Sequence, residues 1–234
     1  MSLILKESIS SEPRYHADRY DYFRSVARPG AWPETSISTW LKSVGLPALA
    51  SVAATTSIGR RELKEMAENP DCPDRDVLWA ILGWGKMRRD HARTLARNED
   101  KWLAVVNRLR RGDLSRSEGY ALCHAVMNSI TRPGVGPAYF TKLIFFADPK
   151  HEGYIMDQWT ARSCNFLING PPIIRMQSRS YVSPKNGSAI YEAYCRVVED
   201  LALRLERSPE ETELCLFSKG GRKPDPWRKR VKSH

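Results

Sequence analysis

The stretch TRPGVGPAYFTKLIFFADPKHEGYIMDQWTAR, residues 131–162, decides the fold. Just ahead of it, Ser115-x-x-Glu118 is a capping box. Gly119, Leu122, Cys123, Val126, Met127 and Ile130 then line one helical face. That helix ends near Thr131, because Pro133 cannot continue it. Gly134-Val135-Gly136 makes a tight turn. Pro137 sits in the first turn of a second helix, Ala138 to Ala147, where its missing N–H costs nothing. The unit is helix, Gly-x-Gly hairpin, helix. Glycine suits the turn for two reasons: it accepts positive φ, and it lets backbone approach a ligand unobstructed. The exposed N–H groups of the new helix form an anion site suited to a phosphate. Val135 between the glycines can tuck inward as an anchor. An ordinary αα-hairpin with a glycine-rich loop satisfies the same pattern.

Asp157 stands 21 residues beyond Gly136, with Gln158-Trp159 directly after it. By itself it reads as the N-cap of a helix beginning around Gln158. Beside an anion-binding hairpin it is also a candidate for carboxylate chemistry. The two roles are compatible, since a helix N-terminus favours the ionised form.

Outward from this stretch the apolar spacing stays helical. Helices are expected over Asp18 to Arg28, Ser36 to Ser43, Asp74 to Gly83, Trp102 to Leu109, Asn186 to Leu205 and Pro209 to Phe217. No run alternates as a strand does, so the chain reads as all-α. Pro and Gly cluster at 29–33, 133–137 and 170–172 and punctuate the chain. With 234 residues the protein can bury a core without staples. No apolar run reaches the roughly 18 residues that span a bilayer, and no signal peptide is evident, so a cytoplasmic, membrane-free protein is expected.

The formal net charge is +10. Basic residues gather at Lys86–Arg97, at Arg108–Arg116 and in a tail from Lys219 to His234. Such surfaces suit a polyanion, nucleic acid first, although a solvated basic face gives the same composition. The cysteines, Cys72, Cys123, Cys164, Cys195 and Cys215, have no metal-ligand spacing and read as reduced, mostly buried thiols. The histidines show no metal spacing either. His124 reads as a packed and satisfied residue, and Asp148 and Glu152 as solvated loop acids.

The hairpin, its glycine- and proline-rich loop and an aspartate about twenty residues on resemble the helix-hairpin-helix (HhH-GPD) DNA glycosylases. The likeness is nearest to bacterial 8-oxoguanine DNA glycosylase-like proteins, through GPAYFTKLIFF, GYIMDQWTA and a C-terminal LFSKGG…WR. It implies a two-lobed helical fold with the active-site cleft between the lobes. Residues 1–73 would contribute to the second lobe, 74–168 would form the core with the hairpin at 131–147, 169–218 the C-terminal helices, and 219–234 a basic tail. It also implies a monomer acting on double-stranded DNA that contains a modified base.

On this resemblance Gly134, Val135 and Gly136 hold a DNA phosphate. Asp157 stabilises the cationic sugar and orients the attacking water. Trp84, Lys86, Gln158 and Trp159 are candidates for a pocket around a flipped base. Arg88, Arg89, Arg132 and Trp227 are candidates for the DNA backbone. No cofactor is required, the hairpin being suited to a monovalent cation. One departure matters. Members of the branch that also cleave the strand carry a lysine two residues past the second glycine, and here that position is Ala138. Lys142 lies one turn later, about 6 Å along the helix, and is either a displaced catalytic group or a surface lysine near the phosphates. The surface reading is preferred, which makes the expected enzyme monofunctional. Its base would be 8-oxoguanine-like, as in DNA repair, or a bulky modified cytosine of phage DNA such as glucosylated hydroxymethylcytosine, as in antiphage defence. The alternatives are a non-catalytic helix-hairpin-helix DNA-binding module and a helical partner-binding protein whose basic face is incidental.

Overall fold

Asp74-Arg75-Asp76 places acids in the first turn of a helix, where they favour the N-terminal dipole. Its remaining residues, Val77 to Trp84, are all buried, so it is a core helix rather than an amphipathic surface one. Gly83 permits this: a Cβ there would stand 2.8 Å from the ring of Trp40. The computed structural model describes residues 13–30, 35–52, 57–131, 133–178 and 180–234. Among these the fold is all-α, with twelve helices.

The helices are α1 (Ala17–Val26), α2 (Ile37–Val44), α3 (Arg60–Glu68), α4 (Asp74–Trp84), α5 (Arg89–Ala96) and α6 (Glu99–Arg110). They continue with α7 (Arg116–Asn128), α8 (Pro137–Ala147), α9 (Gln158–Leu167), α10 (Ser188–Leu205), α11 (Pro209–Phe217) and α12 (Pro226–Lys232). Helices α2 to α8 pack around α4 and α8, while α1, α11 and α12 pack around α9. The long α10 lies on α7 from the first group and on α9 and α11 from the second. The segment 148–157 between α8 and α9 therefore joins the two groups.

Sequence expectations and structure agree at several starts. Ser115 accepts from the Glu118 N–H, and Glu118 accepts from the Ser115 N–H at 2.8 Å, opening α7. Ser208 and Glu211 repeat the box at α11, with Pro209 in the first turn. The structure also departs from the reading. Two short antiparallel ribbons are present, β1 (Thr35–Ser36) with β2 (Ser57–Ile58) and β3 (Met176–Gln177) with β4 (Tyr181–Val182). Two-residue strands are too short to show alternation.

The basic tail forms a docked helix. Trp227 is fully buried, its ring 4.6 Å from Phe23 and 5.6 Å from Phe166. Its indole N–H donates to Ser163 Oγ at 3.0 Å, so Trp227 is a core residue and not a contact for the DNA backbone. Asp148 is buried too, contrary to the solvated reading. It accepts from the Lys150 N–H, and burial raises its pKa. One His124 ring nitrogen meets Pro184 O at 2.8 Å and the other Asn128 Nδ2 at 3.2 Å. All five cysteines are free and buried. Burial pushes the thiols of Cys164 and Cys195 up to about 12 and that of Cys215 to about 11, which keeps them protonated and unreactive. No helix among the described residues is long and apolar enough to cross a membrane.

Candidate active site

The two hairpin glycines answer the two reasons for glycine separately. Gly134 has φ +61, the left-handed region, and a Cβ there would stand 2.8 Å from His91 O. It serves the turn and the close packing of the hairpin on α5. Val135 is buried beneath it. Gly136, the N-cap of α8, is extended at φ −123, ψ −175, and a Cβ there would meet nothing within 4 Å. Its bare backbone faces open space. The N–H of Ala138, in the first turn of α8, has no carbonyl four residues back in the helix. Beside the hairpin Lys86, Arg88, Arg89, Arg93 and Arg97 are all exposed, along α5 and the turn before it. Arg132 lies outside the described residues.

The segment that carries Asp157 is fixed from both sides by hydroxyl groups. Thr141 Oγ1 on α8 accepts from the Met156 N–H at 3.1 Å. Tyr191 OH on α10 accepts from the Tyr154 N–H and donates to its carbonyl, each at 3.0 Å. Tyr194 OH donates to Ile155 O at 2.7 Å. Gly153 admits the Tyr191 hydroxyl, since a Cβ there would stand 2.9 Å from it and 2.6 Å from Ile144. Asp157 then caps α9. Its Oδ1 accepts from the N–H groups of Trp159 and Thr160 at 2.7 and 3.0 Å, and its own N–H donates to Thr160 Oγ1. One carboxylate oxygen does the capping. Oδ2 has no hydrogen-bond partner among the described residues. A half-buried carboxylate with one committed oxygen and one spare is oriented and still able to act.

Two buried cations lie within electrostatic reach of this carboxylate. Lys142 is 5% exposed, which corrects its reading as a surface lysine near phosphates. Its aliphatic stem lies against Gly85, where a Cβ would stand 2.9 Å from Lys142 Cδ, and its Nζ donates to Ala138 O at 2.6 Å. Burial lowers its pKa, opposed chiefly by the attraction of Asp157. The second cation is Arg228 of α12, whose guanidinium lies 3.8 Å over the Trp159 ring and 4.8 Å over Phe217. Burial lowers its pKa to about 10, and Asp157 again opposes the shift. Deeper in the wall, Arg60 of α3 pairs with the fully buried Glu213 of α11 at 2.7 Å. Burial raises the pKa of Glu213 against the pull of Arg60.

Sequence reasoning missed Arg228, Glu213 and Arg60. Arg228 had a visible signal, because Trp227 and Val231 are an i, i+4 apolar pair after Pro226 and define a helix with a buried side. Arg60 and Glu213 meet only through the fold.

The expected base pocket is not assembled as read. Trp84 is 1% exposed, edge-on to Phe146 at 4.9 Å, and belongs to the core. The glycines beside it make room for Trp40 and Lys142. Lys86 lines a different feature, an open groove of about 490 Å³ shared with Trp40, Arg88 and Arg89. The Trp159 ring is covered by the guanidinium groups of Arg228 and Arg162. The Gln158 amide, oriented to satisfy both neighbours, donates to Ser180 O at 2.7 Å and accepts from Trp159 Nε1 at 3.2 Å. Arg88 pairs with Asp90 at 2.8 Å, and its N–H donates to Tyr139 OH at the start of α8.

The arrangement sets a bare-backbone hairpin at the start of α8 and an oriented carboxylate at the start of α9, with exposed basic residues along α5. No curated protein and no solved structure matches the chain. A family model described as "OGG: Putative 8-oxoguanine DNA glycosylase OGG-like protein" matches residues 25–217, which include the hairpin, Asp157 and Glu213. The chain belongs to this family of 8-oxoguanine DNA glycosylase-like proteins.

Proposed function

We propose that the protein is a DNA glycosylase that extrudes a modified base from duplex DNA and hydrolyses its N-glycosidic bond to leave an abasic site. The observation that carries this reading is Asp157 with Oδ1 bound to its helix and Oδ2 unengaged, on a segment tied down by Thr141, Tyr191 and Tyr194. Charge builds on the sugar as the bond to the base lengthens. A fixed carboxylate stabilises it without reorganising, and orients the water that adds to C1′. The proton of that water leaves with the base or through the carboxylate. The hairpin holds a phosphate of the same strand through N–H groups at Gly136 and Ala138, and the exposed arginines of α5 hold its neighbours. Lys142 and Arg228 add positive charge on the Asp157 side.

The enzyme is monofunctional in this account. Strand cleavage by a Schiff base needs an amine at C1′, and Ala138 supplies none. The amine of Lys142 is spent on Ala138 O inside its own helix. Family membership favours an oxidised purine such as 8-oxoguanine as the base. Mass spectrometry of bases released from oxidised DNA and from DNA containing glucosylated hydroxymethylcytosine identifies it. Release of 8-oxoguanine is expected, release of the modified cytosine replaces the purine, and release of no base from either DNA overturns the reading. Borohydride in the same reactions should trap no covalent complex, and an efficient adduct would show Lys142 acting as a nucleophile.

A further inference from the structure

The ribbon β3–β4 stands beside this site and presents an exposed aromatic ring. Tyr181 is 60% exposed; the other exposed large apolar side chains among the described residues are Tyr22 at 38% and Leu203 at 81%. Tyr22 leans on Trp227 within α1, and Leu203 lies in the last turn of α10. Tyr181 instead sits on a strand that packs on both α8 and α9, the helices that begin at the hairpin and at Asp157. Ser180, its neighbour, accepts the Gln158 amide at 2.7 Å, one residue from Asp157. The Tyr181 phenol is also within electrostatic reach of Arg88 and Tyr139, where the turn before α5 meets the start of α8.

The mount is rigid, which the ring itself does not need for folding. Asn165 on α9 pairs with residue 174 as a strand would: Nδ2 donates to Ile174 O at 2.7 Å and Oδ1 accepts from the Ile174 N–H at 3.0 Å. Asn186, fully buried, does the same for residue 175, accepting from the Arg175 N–H at 3.0 Å and donating to its carbonyl at 2.9 Å. Val182 is buried on the inner side, and the Ser180 N–H closes the turn on Gln177 O at 3.1 Å. Two asparagines thus fix the chain leading into β3, and the paired β4 carries the exposed Tyr181 ring.

A nucleotide leaving a duplex opens a gap in the stack, and the gap closes again unless something fills it. A flat aromatic ring fits that gap and stacks on bases of any sequence. Tyrosine has two side-chain torsions and little entropy to lose. We propose that Tyr181 is the wedge that enters the duplex when the nucleotide is extruded toward Asp157. The inference rests on the glycosylase reading for its direction, since the flipped sugar must come to Asp157.

The test uses the full chain and a short duplex with a tetrahydrofuran abasic analogue flanked by 2-aminopurine. Binding of the wild type should change the 2-aminopurine fluorescence as a ring stacks beside it. Tyr181→Phe should keep that change and Tyr181→Ala should lose most of it, with both variants unfolding at the wild-type temperature. Base release from duplex by Tyr181→Ala should slow by about tenfold or more, the scale of a lost base–aromatic stack, while release from a single strand stays unchanged. A Tyr181→Ala protein with the wild-type fluorescence change would overturn the wedge, as would a wild type that binds without any change. A wild type that perturbs 2-aminopurine yet releases no base from any DNA would keep the wedge and sink the glycosylase reading.

Discussion

The chain contains two Gly-x-Gly segments that look alike, one closing α4 and one opening α8, and their glycines are used differently. In Gly83-Trp84-Gly85 and in Gly134-Val135-Gly136 the central residue is buried and the first glycine is pressed against a neighbour, Trp40 in one case and His91 in the other. The second glycines differ. Gly85 is filled from within by the stem of Lys142, whereas Gly136 has open space where a side chain would be. The first segment keeps its missing side chains for the protein. The second keeps one for the protein and leaves the other facing open space. A glycine in sequence reports that a side chain is absent, and only the fold reports which neighbour uses the space.

Substitutions at the glycines sharpen that difference. The largest effect belongs to Gly134→Ala, which meets both a left-handed φ and the His91 backbone at 2.8 Å. A loss of about 2–4 kcal/mol of folding stability is expected, read by thermal or denaturant unfolding. A stable Gly134→Ala protein would mean the hairpin can leave α5. Next, Gly136→Asp should leave stability unchanged or raise it slightly, since Asp is a favoured N-cap with open space around it. Its charge should weaken DNA binding by about tenfold or more by repelling the phosphate. Titration of labelled duplex at fixed salt measures this, and undiminished affinity would remove the phosphate from Gly136. The smallest effect is Gly85→Ala. The added methyl meets the flexible Cδ and Cε of Lys142, so folding should change by less than about 1 kcal/mol. Any activity change should then come from displacing the Lys142 charge beside Asp157.

Local chemistry made much of this legible. Pro133, the Gly-x-Gly turn and Pro137 fixed the hairpin because each acts on its own backbone. Ser115 with Glu118 fixed the start of α7 for the same reason, and Asp157 showed its capping role through its position before Gln158. Tertiary context decided the rest. Lys142 follows Thr141 on a helix whose every face is covered, and one lysine in an apolar run does not reveal that its stem lies on Gly85. Trp227 was masked by the basic residues around it, which describe the solvent side of α12 while Trp227 and Val231 form the other. The Trp84 pocket expectation failed because its flanking glycines make room for Trp40 and Lys142 of neighbouring helices. Tyr181 escaped because its strand is two residues long and the chain leading into its partner strand is held by Asn165 and Asn186 through the fold.

The central claim is that Asp157 performs chemistry as well as capping, and Asp157→Asn separates the two. Asparagine caps a helix about as well as aspartate, so the unfolding temperature and duplex affinity should stay near wild type. Base release under single turnover, with all DNA bound, should fall by about 10²–10³, the scale of losing one preorganised charge-stabilising group. A variant that folds, binds and releases base at the wild-type rate would leave Asp157 as a cap alone and contradict the account.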